Sequence, residues 1–198
     1  MGNLITRNQI LLEGKIVSEH YDKHGIKVTV AVNRISKNNN KMRDYVLVWF
    51  EDEMMDAYKN SGAILHDRIQ IVGEVFSKRI ISQKFNSVTY TQYIIAKSVS
   101  VPDKFRKVSD GDTNSFLLKG CLERITETEK GYAIAVNLCD KENGIPNYPQ
   151  VFTYGWRPKG IDIGDVIVIK GSIQSYLKKV DDKKIYAQRF VAAKITKG

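Results

Sequence analysis

An all-β chain with one short helix, a small five-strand unit written twice, is the fold class the sequence predicts, and three observations carry it. First, the core of Val28-Thr-Val-Ala-Val-Asn-Arg34 returns as Ala133-Ile-Ala-Val-Asn137. In both copies, β-branched and small residues alternate up to an asparagine, as a strand entering a turn does. Second, the flanking blocks return in the same order. Asn8-Gln-Ile-Leu-Leu-Glu-Gly14 is answered by Asn114-Ser-Phe-Leu-Leu-Lys-Gly120, and Asp67-Arg-Ile-Gln-Ile-Val-Gly73 by Asp165-Val-Ile-Val-Ile-Lys-Gly171. Third, 198 residues hold one domain or two of about a hundred, and the repeat decides for two.

In the first half, Gln9–Val17 reads as a strand in which Gly14 marks a bend, the device a small barrel needs to carry one strand between sheets. A turn at 20–25 leads to the second strand, Ile26–Ile35, and Ser36–Arg43 is a polar, basic hairpin loop. Tyr45–Phe50 is an almost uninterrupted apolar third strand. Glu51–Asn60 follows as a helix, with Met54, Met55 and Tyr58 at helical spacing and Gly62 ending it. Ile69–Val75 and Val88–Val99 complete five strands, with Phe76–Ser87 as a second basic loop. The order β-β-β-α-β-β is that of the oligonucleotide-binding (OB) barrel, which binds single strands across the face of strands two and three.

Residues 102–113, polar and opened by Pro102, read as a linker between units 1–101 and 114–198. The second unit repeats the strands as Ser115–Glu123, Tyr132–Leu138, Gln150–Trp156, Asp165–Ile173 and Ile185–Ile195. Its 140–149 loop is nearly neutral, and Tyr176–Lys184 reads as a loop. Two glycines and a proline in 157–164 leave no room for the helix, so it is reduced or absent there.

Ile10-Leu-Leu-Glu-Gly-Lys-Ile16, Val28–Arg34, Val46-Leu-Val-Trp-Phe50 before an acidic helix, and Ile71-Val-Gly-Glu-Val75 together resemble the bacterial single-stranded-DNA-binding protein (SSB) family in its tandem-OB form. The Ala-Val-Asn-Arg end of strand two and the aromatic end of strand three are the most specific parts. The resemblance spans nearly all of the first half and is weaker over the second. It implies that Trp49 stands where the family places a base-stacking ring and that Tyr45 is at or near another. It also implies a homodimer giving four OB barrels. Members commonly end in an acidic tail that recruits repair and replication proteins, whereas this sequence stops at Lys194-Ile-Thr-Lys-Gly198. A role with a phage or mobile element is the expectation that follows.

The charge agrees with a polyanionic partner: +9 overall with pI near 9.4. Residues 1–107 carry 17 Lys/Arg against 11 Asp/Glu, and residues 108–198 carry 14 against 11, so the first half is the better candidate for the main contact. Unpaired nucleic acid needs cations that follow phosphates and flat side chains for unstacked bases. Arg34, Lys37, Lys41 and Arg43 cluster on one hairpin, and Lys78, Arg79 and Lys84 on the other. Tyr45 and Trp49 lie on the strand leaving the first hairpin, and Phe76, Phe85, Tyr90 and Tyr93 border the second. Adjacent strand residues face opposite ways, so Trp49 reads as the exposed platform and Phe50 as core. In the second half Tyr154 and Trp156 share a parity, with Arg157, Lys159, Lys178 and Lys179 as basic partners, although its poorer charge also suits a mainly structural barrel.

Cys121 and Cys139 lack metal-ligand spacing and read as core thiols in a reducing cytosol. No apolar run reaches membrane-spanning length, so the cytoplasm is the expected location. Acidic Glu51, Asp52, Glu53 and Asp56 complement a helix dipole, and His20 and His24 sit on a turn rather than a helix. With no phosphate-binding glycine loop and no CxxC, no cofactor, metal or enzymatic activity is expected. The expected function is coating single-stranded DNA with little sequence preference in replication, recombination or DNA transfer, with replication or recombination proteins as further partners. The alternatives are an RNA-binding or protein-docking tandem barrel and, less favoured, a metal-dependent nuclease.

Overall fold

The computed structural model describes residues 6–35, 40–82, 87–102, 112–138, 146–180 and 183–198, with the side chains of 79–82, 87–90, 180 and 183–185 left aside. The chain is all-β with one helix. The first half contains β1 (Arg7–Asp22), β2 (Gly25–Ile35), β3 (Lys41–Phe50), α1 (Glu53–Asn60), β4 (Arg68–Ser82) and β5 (Ser87–Ser100). The second contains β6 (Thr113–Thr128), β7 (Gly131–Asn137), β8 (Gln150–Tyr154), β9 (Val166–Val180) and β10 (Lys183–Lys197). Pairing runs β1–β2–β3–β5–β4 and back to β1, and likewise β6–β7–β8–β10–β9 and back to β6. Each five-strand ring is closed, leaving few free edges.

Alternation fills the rings. Val46, Val48 and Phe50 of β3, Val28, Val30 and Val32 of β2, and Ile69, Ile71 and Val75 of β4 are all essentially inaccessible to solvent. Each such side chain contributes about 1.5–3 kcal/mol relative to exposure. Below the first ring, α1 buries Tyr58 against Phe50, ring centres 4.7 Å apart. The Tyr58 hydroxyl donates to Glu19, and burial together with that bond pushes its pKa far up. In the second half Ile161 and Trp156 pack on the core in the helix's place.

Gly14 and Gly120 serve close approach: a Cβ on either would collide with a carbonyl, that of Ala31 or of Asn137. The irregularity expected at Gly14 comes later, between Ile16 and Ser18. The repeated asparagines also have a structural account. The carboxamide of Asn8 accepts from the Val75 N–H at 2.9 Å and donates to the Val75 carbonyl at 2.8 Å, extending the β1–β4 ladder past its last backbone pair. Asn114 does the same with Ile173 at 2.9 and 2.6 Å.

β1 and β6 pair antiparallel from Arg7↔Lys119 to Glu13↔Thr113. Ile10, third residue of its block, pairs with Phe116, third residue of the other, so a local two-fold axis runs through this seam.

Several sequence-based boundaries need correction. The loops expected at 76–87 and 176–184 are largely strand, since β4 and β9 continue to Ser82 and Val180. These ribbons outrun the rings, and their described polar residues include Ser77 and Ser175, which bond to the other half rather than marking a loop. β3 starts at Lys41, placing Lys41 and Arg43 on a strand, and α1 starts at Glu53. Thr113 already belongs to β6, while Asp112 accepts from the Asn33 N–H and pairs with Arg68, both at 2.6 Å. Cys121 is half-buried rather than core, and Cys139 lies outside the described residues.

The repeat itself is slipped. The residue after Gly14, Lys15, pairs with Ala31, whereas the residue after Gly120, Cys121, pairs with Asn137. The structural counterpart of Ala31 is therefore Asn137, not Ala135. A two-residue slip leaves every side chain on its proper face, which is why the sequence pattern tolerates it.

Candidate nucleic-acid interface

On β3, Tyr45, Leu47 and Trp49 point outward while Asp44, Val46, Val48 and Phe50 are buried. The three outward residues floor a groove of about 1060 Å³. Thr29, Lys78, Thr91 and Tyr93 of the first half line it, together with Lys178, Tyr186 and Gln188 of the second. Trp49 lies 5.4 Å from Tyr93 between ring centres, and Tyr93 lies 5.3 Å from Phe76. Burial and the nearby Glu51 charge raise the Tyr93 pKa. The Lys27 ammonium sits 4.4 Å over the indole and is held there by Asp22 at 2.7 Å. The hydrogen bond from Lys27, then that from the His24 N–H, lowers the Asp22 pKa. Tyr45 meets Tyr186 of the other half at 4.7 Å.

A reciprocal clasp places the second half over this groove. The Ser175 N–H donates to Asp44 Oδ1 (2.9 Å), the Tyr45 N–H to Ser175 Oγ (3.0 Å), and the Leu47 N–H to Gln188 Oε1 (2.9 Å). The same three bonds recur in the other direction. The Ser77 N–H donates to Asn147 Oδ1 (3.0 Å), the Tyr148 N–H to Ser77 Oγ (2.6 Å), and the Gln150 N–H to Gln92 Oε1 (2.6 Å). Each half's long ribbon thus takes the exposed peptide groups of the other's third strand. Asp44-Tyr45 and Asn147-Tyr148 are equivalent pairs that sequence reading left unmatched, because 140–149 was taken as loop.

The clasp is near-symmetric; the spaces under it are not. Beside the equivalent strand, Glu123, Arg124, Ala135, Tyr148 and Gln150 line a cavity of only about 260 Å³. In the large groove Thr29 stands where Ala135 does, and Leu47 where Gln150 does.

The sequence-predicted residues divide accordingly. Tyr45, Trp49, Lys78 and Lys178 come together in the groove. Arg34 does not line it: its Nε pairs with buried Asp44. Arg43 is exposed and donates from Nε to Asn33 Oδ1 at 3.1 Å, and Lys41 is exposed at the start of β3. Lys37, Lys84 and Phe85 lie outside the described residues, as does the Arg79 side chain. In the second half Lys178 and Lys179 are neighbours on β9 and project to opposite sides. Trp156 does not share a face with Tyr154. β8 ends at Tyr154, Gly155 takes a left-handed φ of 71°, and Trp156 folds back onto the core. Arg157 lies 5.9 Å from the Tyr132 ring. Tyr186, Phe152, Tyr176 and Arg189, which outline the second half's outer surface, were missed; Phe152 needed the two-residue slip, whereas Tyr176 follows from the Asp67–Gly73 and Asp165–Gly171 blocks as the counterpart of Lys78. Among the described residues, no group of three or more His, Cys, Asp or Glu is placed to hold a metal ion, and no helix is long and apolar enough to cross a membrane.

Closed five-strand rings of this order, a helix below the first, and a ring-bearing outer face on β3 define an SSB-like OB fold. Among the solved structures that share it are two of the single-stranded DNA binding protein from Thermus aquaticus. The wild-type protein is 14% identical, with a TM-score of 0.67 over 98% of this chain and 93% of that one. A deletion mutant of it is 13% identical, with a TM-score of 0.68 over 98% and 95%. No family model matches the chain, and no curated protein does.

Proposed function

We propose that the chain binds single-stranded DNA with little sequence preference, the strand lying in the groove over β3. The carrying observation is that Tyr45, Trp49, Tyr93 and Tyr186 share one open groove with Lys78 and Lys178. Rings offer any base a stacking surface worth about 1–3 kcal/mol, and lysines neutralise phosphates. The two carboxamides of the groove are already engaged, that of Gln188 by the Leu47 peptide and that of Gln92 by the Gln150 peptide, which supports weak base preference. The solved structures of similar fold are of a protein that binds this ligand, which supports the reading. Residues 1–101 and 113–198 act as two OB units joined by 102–112, two chains assemble to present four barrels, and no chemical step is catalysed. The protein serves replication, recombination or transfer of DNA.

Anisotropy of labelled oligo(dT), challenged with unlabelled oligo(dT), the matching RNA and duplex, tests this. Displacement by oligo(dT) and not by duplex is expected. No binding at low salt would end the proposal, and stronger displacement by RNA would redirect it to RNA.

A further inference from the structure

We infer that the second half holds its own contact for the same unpaired strand, centred on Arg189 with Phe152 and Tyr176; the inference rests on the single-strand reading above. The backbone register supplies the correspondence. Trp49 pairs with Ile95 and Phe152 with Val191 in the two parallel ladders, so Phe152 is the counterpart of Trp49. Gly73 pairs with Ala96 and Gly171 with Ala192, and three residues before each alanine stand Tyr93 and Arg189. Ser77, opposite Gln92, matches Ser175, opposite Gln188, which makes Tyr176 the counterpart of Lys78.

The first half therefore offers two rings and a cation as Trp49, Tyr93 and Lys78. The second offers two rings and a cation as Phe152, Tyr176 and Arg189. The chemistry is kept and the positions are permuted. The Arg189 guanidinium lies 4.5 Å from the Phe152 ring centre and 4.6 Å from that of Tyr176, and donates to the Tyr154 hydroxyl at 3.0 Å. Among the described residues no carboxylate pairs with it, and it is met there by ring faces and one phenol. Tyr154 and Tyr176 are each about two-fifths exposed, at 42% and 39%. A guanidinium flattened on rings and open at its edge matches a phosphate flanked by unstacked bases. The strand would thus be held at two stations per chain, the second of them away from Trp156 and Arg157.

Protein carrying Trp156→Phe, in which Trp49 is the sole indole, is treated with phenylglyoxal with and without saturating oligo(dT) about thirty nucleotides long, and modification of Arg189 is followed by peptide mass while Trp49 quenching reports binding. Protection of Arg189 by about fivefold or more is expected. Arg189→Gln should weaken that oligonucleotide about tenfold, leave a short oligo(dT) that fills one station almost unaffected, and lower the log–log salt slope by about 0.7. Quenching with unprotected Arg189 overturns the second station and leaves the first. Neither quenching nor protection overturns the single-strand reading and this inference with it.

Discussion

Asn147→Ala removes one side of the reciprocal clasp, and its cost can be worked from the hydrogen bonds. Asn147 is 8% exposed and Ser77 4%. The carboxamide accepts from the Ser77 N–H at 3.0 Å and from Ser77 Oγ at 3.1 Å, and donates to the Val75 carbonyl at 3.0 Å. That carbonyl keeps its bond from Asn8 and the Ser77 Oγ keeps the one it accepts from the Tyr148 N–H, so the Ser77 N–H is left orphaned. An orphaned buried donor costs about 1–3 kcal/mol and each of the two other lost bonds about 0.5–1.5 kcal/mol, giving about 2–6 kcal/mol in all. In urea, at a slope of about 2 kcal/mol per molar, this corresponds to a midpoint about 1–3 M lower, followed by tryptophan emission. Asn147→Asp sharpens the test. Its counterpart Asp44 is matched by Arg34, but here a carboxylate oxygen would face the Val75 carbonyl. The introduced group's pKa is raised on folding, so the destabilisation is present above about pH 3.9 and is relieved as acid protonates it. A midpoint within about 0.3 M of wild type for the alanine variant would refute the clasp as a source of stability.

Three further outcomes are expected. Gly120→Ala drives a methyl into the Asn137 carbonyl and should cost about 1–3 kcal/mol, read as a lowered Tm; an unchanged Tm would show that β6 and β7 are free to part. Asp22, whose pKa is lowered in the folded chain, contributes stability above its ordinary value of 3.8 that is lost as pH falls through the lowered value. Trp49 emission should change over that acid range as Lys27 is released, and Asp22→Asn should abolish the change; persistence of the acid step in that variant would assign it elsewhere. Lys78→Ala should reduce the magnitude of the log–log salt slope for oligo(dT) by about 0.7, and an unaltered slope would remove Lys78 from the strand's path.

Much of the fold was legible because burial imposes period two. Phe50 read as interior and Trp49 as exterior, and the structure places Phe50 in the core and Trp49 half-buried outside it. Gly14 and Gly120 were visible as special positions, although their role is close approach rather than the site of the bend. Ribbon length was not legible, because β4 and β9 beyond the rings carry polar residues whose partners lie in the other half. The clasp was hidden for the same reason: Asp44 with Ser175, and Asn147 with Ser77, are distant in sequence and ordinary in composition. The second half's outer surface was misplaced because strand parity was carried past Tyr154, where Gly155 turns the chain. A two-residue slip, silent in the face pattern, hid Phe152 as the counterpart of Trp49.

The central claim is that Trp49 faces an unpaired strand in a cationic groove. With Trp156→Phe leaving Trp49 as the sole indole, oligo(dT) should quench the emission saturably, and the apparent affinity should fall with salt along a log–log slope near −0.7 per phosphate engaged. Unchanged emission at saturating oligo(dT), or an affinity indifferent to salt, would contradict it.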